Sequence, residues 1–190
     1  MSRNPVFCQR KIKYLGYIIT EDGLSIDPEK IKAVLDYPIP KSVKDIRRLL
    51  GIAGFYQKFI NQYSDITAPI SDLLKKGKKV LWTEDANCAF LKLKSALVTA
   101  PILANPDFEM PFIIETDSSD QAIGAVLTQI QKGERKCLAY YSKKLSSTQR
   151  RYSATERECL AVLLSIENFR HFVEGTRFVV QTDAMSFLHF

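Results

Sequence analysis

Apolar positions along the chain change period several times, and each change marks an element. From Ile12 to Ile19 the run IKYLGYII reads as a strand, closed by the turn signal Glu21-Asp22-Gly23. Asp27-Pro28 then combines an N-cap with a first-turn proline and opens a short helix through PEKIKAVLDY, which Pro38 and Pro40 terminate. A second helix starts at the cap Ser42, with Asp45 three residues on, and carries a stripe at Ile46, Leu49, Leu50, Ala53, Tyr56, Phe59 and Ile60. Beyond a lysine-rich loop, Trp82-Thr83-Glu84-Asp85 reads as a cap with an acidic first turn. The helix continues through Ala86, Ala89, Phe90, Leu93 and Leu97 until Pro101 and Pro106 break the chain.

The C-terminal half changes character. FIIET, AIGAVLTQI and KCLAYYSKKL are successive strand candidates, the first two split by Ser118-Ser119-Asp120. A long helix follows over about residues 147–173, with apolar residues Cys159, Leu160, Leu163, Leu164, Ile166 and Phe169, and RFVVQTD then repeats the strand-then-Thr-Asp pattern of FIIETD. Hairpin-like strands, a helix and a further strand predict an α+β or mixed α/β sheet. Internal repeats and low-complexity segments are absent.

Composition adds bounds. With 190 residues, 46% hydrophobic and 25% charged, the chain can bury a core as one domain or two small ones. No apolar run approaches the roughly 18 to 20 residues that cross a bilayer, and MSRNPVFCQRK lacks the apolar stretch of a signal peptide, so the expectation is an intracellular protein with no membrane partner. Cys8, Cys88, Cys137 and Cys159 are widely spaced with no CxxC pair, which argues against zinc and predicts reduced, mostly buried thiols. His171 and His189 have no metal-ligand spacing.

The net charge of +6 sits unevenly: residues 1–110 hold 17 Lys+Arg against 12 Asp+Glu, whereas residues 111–190 hold 10 against 9. The surplus gathers in KSVKDIRRLL and KKGKK. Lys44, Arg47, Arg48 and Lys58 fall mainly off the apolar stripe, where they could meet a phosphate backbone or simply form a solvated face.

The carboxylates point to more specific chemistry. Two-metal hydrolysis of a phosphodiester needs several carboxylates converging from different elements, because Mg²⁺ prefers oxygen ligands and must keep sites for substrate. If the strand ending in Asp117 lies beside the strand ending in Asp183, their side chains meet at one sheet edge, and a packed helix can add Glu158. Singly, each acid has a plainer reading: Asp117 and Asp183 as turn or cap residues, Glu158 as a helix-surface charge.

The order TDSSDQAIGAVLTQ, then YSATERECLAVLLSIENFRHFVEG, then FVVQTD resembles the ribonuclease H domain of gypsy-type LTR retrotransposon and retroviral polymerase polyproteins. Upstream, YLGYIITEDGLSIDPEKIKAV, DIRRLLGIAGFYQKFI and LWTEDANCAFLKLKSALVTAPILANPDF resemble the end of the reverse transcriptase palm, the thumb and the connecting segment of the same polyproteins. The resemblance implies four parts: the palm end at residues 1–27, a thumb-like helical segment at 28–80, a connecting segment at 81–110, and the N-terminal part of an RNase H-like domain at 111–190. It implies a mixed sheet with a packed helix and the last strand missing. Asp117 becomes the metal-bridging Asp of the first strand, Glu158 the helix carboxylate and Asp183 the Asp of the fourth strand. Glu156 is the rival for the helix position, but in a helix the two glutamates point about 200° apart, and Glu158 fits the motif.

Implied cofactors are Mg²⁺, with Mn²⁺ as a substitute. Implied partners are RNA/DNA hybrid or duplex nucleic acid and the remainder of a Pol polyprotein, in the cytoplasm, a retroelement particle or the nucleus. Departures are also visible. The family's fourth acid and fifth strand are expected beyond residue 190, no Asp-Asp pair of the polymerase centre occurs, and Ala184 stands where a His is common. Rival expectations are a nucleic-acid-binding remnant without catalysis and a degenerate fragment with an exposed sheet edge.

Overall fold

A computed structural model describes residues 9–75, 81–182 and 188–189. Among these residues, two sheets and five α-helices make up the fold. A small antiparallel sheet is formed by β1 (Lys11–Tyr14), β2 (Tyr17–Thr20) and β3 (Gly23–Ile26) in that order. The expected single strand over Ile12–Ile19 is therefore a hairpin. Leu15 and Gly16 both adopt positive φ, 48° and 84°, and reverse the chain within the apolar run. Gly23 is needed for another reason: an added Cβ would lie 2.0 Å from the carbonyl oxygen of Leu103, and at this close approach Leu24 and Leu103 exchange backbone hydrogen bonds of 2.7 and 2.9 Å.

Helix α1 (Pro28–Leu35) is capped by Asp27, whose carboxylate accepts from the Glu29 amide, and α2 (Val43–Phe55) is capped by Ser42, which accepts from the Asp45 amide. The apolar stripe of α2 buries Ile46, Leu49 and Ala53 and continues through a 3₁₀ turn at Gln57–Phe59. Sequence periodicity did not mark α3 (Tyr63–Asp72), because Pro69 lies inside it. Proline removes one helical amide and leaves the Asp65 carbonyl without its partner four residues on. Tertiary packing outweighs that loss: Tyr63, Ser64, Thr67, Ala68 and Ile70 are all buried. Helix α4 (Glu84–Val98) follows its Thr83 cap and buries Ala86, Ala89, Phe90, Leu93 and Leu97 as its pattern requires.

The main sheet runs in the order β6-β5-β4-β7-β8, built from β4 (Phe112–Ser118), β5 (Ala122–Gln131), β6 (Glu134–Lys144), β7 (Phe178–Thr182) and β8 (Leu188–His189). β4 to β6 are antiparallel neighbours, and β4 and β7 are parallel. The two-residue β8, antiparallel to β7, gives the sheet a fifth strand that the sequence reading placed beyond residue 190; so short a strand leaves no readable alternation. The long helix α5 (Ala154–Val173) starts later than expected. A 3₁₀ turn at Gln149–Arg151 precedes it, and Ser153 and Glu156 form a reciprocal capping box.

Two cores share the sheet. On one face Phe112, Ile114, Ala125, Leu127 and Val180 pack with Phe169 and Val173 of α5. The buried face of α5 uses Ala161, Ser165, Phe169 and Val173, while Cys159 and Leu163 of the sequence series are exposed. From the other face, Cys137 and Tyr140 of β6 pack against the core built from α1 to α4 and the 3₁₀ turn. The expected burial of the thiols fails: Cys88 and Cys159 are exposed, Cys137 is half-buried, and Cys8 lies outside the described residues. All three described cysteines are free.

Candidate active site

β4 places its even-numbered residues, Phe112, Ile114 and Thr116, in or toward the α5 core, so Glu115 and Asp117 project to the opposite face. The two acids have different fates. Glu115 is neutralised by the Arg135 guanidinium and also accepts from Thr128 Oγ1 at 3.3 Å. Asp117 is exposed, and its carboxylate makes no hydrogen bond or ion pair among the described residues. Directly across β5 it faces Gly124, and Ser142 continues the row on β6. Gly124 leaves space in this row: an added Cβ would come no nearer to another residue than 4.0 Å, from the Tyr141 carbonyl oxygen.

β4 and β7 run parallel in register, with Thr116 opposite Thr182. These are the residues immediately before Asp117 and Asp183; Asp183 itself lies outside the described residues. Adjacent carboxyl ends of parallel strands near the middle of a sheet are where α/β folds collect ligand-binding groups.

Helix α5 brings its N-terminal end to this same edge. Arg157 Nη2 donates to Asp120 Oδ1 at 2.9 Å, in the turn just beyond Asp117, and Ala161 packs with Ile123 and Leu145. Farther along, Phe169 and Val173 meet the β4 residues Phe112 and Ile114. Glu158 is three residues before the buried Ala161, hence about 60° from it around the helix and on the sheet side; its side chain is half-buried. Glu156 is exposed and committed to the cap, accepting from the Ser153 amide and hydroxyl at 2.8 Å, contacts that hold its carboxyl below the usual range.

One residue at this edge was not foreseen. Asp65, in the first turn of α3, accepts a 3.0 Å hydrogen bond from Ser119 Oγ, two residues after Asp117. Burial pushes the Asp65 carboxyl up, the Ser119 hydrogen bond pulls it down, and the nearby Asp117 charge adds to the upward push. No local sequence signal could have found it, because the contact spans 54 positions.

The basic residues divide. Lys44, Arg47 and Arg48 are exposed on α2. Lys58, grouped with them from sequence, sits apart: its ammonium lies 4.4 Å from the Tyr17 ring centroid, is half-buried, and is shifted down by burial. It lines a cavity of about 460 Å³ with Leu103, Tyr140, Phe169 and His171.

Carboxylate oxygens suit a hard divalent cation, but Asp117 projects to the sheet face opposite α5, the helix that carries Glu158, and the described residues contain no cluster of three or more metal-ligating side chains. Among them, no helix is long and apolar enough to cross a membrane.

Comparison with known proteins agrees with the fold. The chain is 40% identical over 178 residues to the retrovirus-related Pol polyprotein from transposon 297 of Drosophila melanogaster, a match covering 93% of this chain and 16% of that protein. It is 38% identical over 171 residues to the transposon Tf2-3 polyprotein of Schizosaccharomyces pombe, covering 90% of this chain and 13% of the other. The chain thus spans less than a fifth of the length of either relative. Among solved structures, the foamy viral protease-reverse transcriptase dRH in complex with double-stranded DNA superposes with a TM-score of 0.82 at 22% identity, over 94% of this chain and 31% of that one. The foamy viral protease-reverse transcriptase in complex with RNA/DNA hybrid gives 0.80 at 22% identity, over 94% of this chain and 24% of that one. Residues 82–180 match the family model of the RNase H-like domain found in reverse transcriptase, and the chain belongs to that family.

Proposed function

We propose that this segment binds RNA/DNA hybrid and, within the complete polyprotein, serves to cleave its RNA strand, with Asp117, Glu158 and Asp183 holding divalent metal ions and with Lys44, Arg47 and Arg48 gripping the nucleic-acid backbone. The observation that carries this reading is the register of β4 against β7, which sets Thr116 opposite Thr182 at the edge where the N-terminal end of α5 arrives. Bound Mg²⁺ would supply an activated water and neutralise charge at the leaving oxygen.

The chain's own residues do the positioning. Asp117 offers an unpaired carboxylate because Arg135 and Thr128 occupy Glu115 instead. Glu158 offers a second from the sheet side of α5, while Glu156 is held by its cap. Contacts to the 2′-hydroxyl would distinguish RNA from DNA in the hybrid. The family membership and the Pol polyprotein relatives support this assignment, as do the neighbours bound to double-stranded DNA and to RNA/DNA hybrid.

In this reading residues 1–27 end a polymerase palm, 28–80 form a thumb-like segment, 81–110 connect, and 111–190 form the nuclease portion. DNA synthesis would belong to other parts of a longer polyprotein, since no Asp-Asp pair occurs here.

The test is a labelled RNA/DNA hybrid incubated with Mg²⁺ beside the same RNA paired to RNA. Cleavage of the hybrid alone, lost in Asp117→Asn, is expected. Equal cleavage of both duplexes, or full activity of Asp117→Asn, would remove the assignment. A second reading, a nucleic-acid-binding segment without catalysis, is favoured by the exposed Lys44, Arg47 and Arg48 on α2; it predicts hybrid binding with no metal-dependent cleavage.

A further inference from the structure

The N-terminal turn of α3 is clamped to the sheet at the far end of the Asp117 row and at the turn that follows Asp117. The Ser64 amide donates to Ser142 Oγ at 3.0 Å, on the strand two places away from Asp117, and Asp65 Oδ1 accepts from Ser119 Oγ at 3.0 Å. Ser119 is the pivot of the β4–β5 turn: its amide donates to the Ala122 carbonyl at 2.8 Å, and its hydroxyl oxygen accepts from the amides of Gln121 and Ala122 at 3.2 and 3.0 Å. That hydroxyl carries one proton. Asp65 Oδ1 at 3.0 Å and the Ala122 carbonyl at 3.1 Å both lie within reach of that proton; directed at Asp65, it leaves the oxygen lone pairs facing the two amides.

We propose that Asp65 is a positioning residue of the cleavage site: by holding the Ser119 hydroxyl, it fixes the turn that follows Asp117 and thereby the direction of the Asp117 carboxylate. This rests on the reading of Asp117 as a metal-holding group. Asp65 belongs to the helical segment, not to the strands that carry the acids, so the thumb-like part contributes to the nuclease site across the sheet face. Mutating groups that orient a metal ligand typically costs on the order of 10- to 100-fold in metal affinity.

Mn²⁺ binding to the 190-residue chain, measured by titration calorimetry beside a thermal melt of each variant, tests the idea. Asp117→Asn should abolish binding, and Asp65→Ala should weaken it on the order of tenfold. Asp65→Asn should bind nearly as wild type, because its amide oxygen still accepts from Ser119. If Asp65→Ala does not fold, Ser119→Ala removes the same hydrogen bond from the other side and should show the same loss. Wild-type affinity in Asp65→Ala, with or without a lowered melting point, overturns the positioning role while leaving the metal site standing. An equal loss in Asp65→Asn and Asp65→Ala also overturns it, since charge would then be the cause. Unchanged binding in Asp117→Asn removes the metal site and this inference with it.

Discussion

At the scale of single residues, function turns on which carboxylates are already occupied. Glu115 and Asp117 are two positions apart on the same strand face, yet Arg135 and Thr128 take up Glu115, and Asp117 has no such partner among the described residues. The same division separates Glu156, spent on the cap, from Glu158, on the sheet side of α5. Asp117→Asn and Glu158→Gln should therefore each reduce Mg²⁺-dependent hybrid cleavage by about 100-fold or more, while Glu156→Gln, which can still cap, should leave it within a few-fold of wild type. Initial rates on a labelled hybrid, with circular dichroism to verify folding, decide this. A severe loss in Glu156→Gln with Glu158→Gln unaffected would exchange the two roles. That only one of these glutamates can face the sheet could be read from helical geometry; the preference for Glu158 came from the motif resemblance. Asp65 could not, because its partner lies 54 positions away.

At the scale of elements, helices formed where caps and periodicity agreed and were missed where they conflicted. Asp27, Ser42 and Thr83 all cap as their sequences require. Helix α3 follows an N-cap, Gln62, that is a non-glycine residue with φ of 52°, and contains Pro69, so both of its local signals oppose a helix that buried contacts nonetheless hold. Ser153→Ala should destabilise the chain by about 1 kcal/mol in chemical denaturation, since it removes an N-cap. The basic face of α2 is testable as an element too. Arg47→Glu with Arg48→Glu should weaken duplex or hybrid binding and reduce the slope of log affinity against log salt by about two units. An unchanged slope would exclude this face from the interface.

At the scale of the whole molecule, the main sheet is a shared wall, with α5 on one side and the helical segment on the other. Lys144 at the end of β6 joins Asp72 and Ser71 of α3, and Ser142 receives the Ser64 amide. Packing of Cys137 and Tyr140 into the first core makes the two cores interdependent. Leu93→Ala, in the helical core, should cost about 2 to 5 kcal/mol, and calorimetry should show one transition moving as a unit. Two separated transitions, only one of them shifted, would contradict the shared wall. The seam also predicts a pH dependence. Burial would raise the Asp72 carboxyl, but Lys144 and Lys75 outweigh it and hold the carboxyl below its usual range. A carboxylate depressed in the folded state stabilises above its unfolded pKa of about 3.9, and that stability is lost as pH falls through the lower folded value. The melting temperature of wild type should accordingly fall more steeply below about pH 4 than that of Asp72→Asn.

Local physics was enough to place β4 to β7, the caps of α1, α2 and α4, and the C-terminal end of α5, because each depends on propensity and period within a short window. The family could also be read, since ordered motifs survive as text. Three-dimensional packing alone decided the hairpin inside IKYLGYII, where a positive φ at Leu15 defies residue preference. It also decided the helix through Pro69, the separation of Lys58 from the exposed α2 cations, and the exposure of Cys88 and Cys159. All of these depend on which distant surfaces meet, and the free energy of burying one surface against another is carried by no residue's own neighbours in the chain.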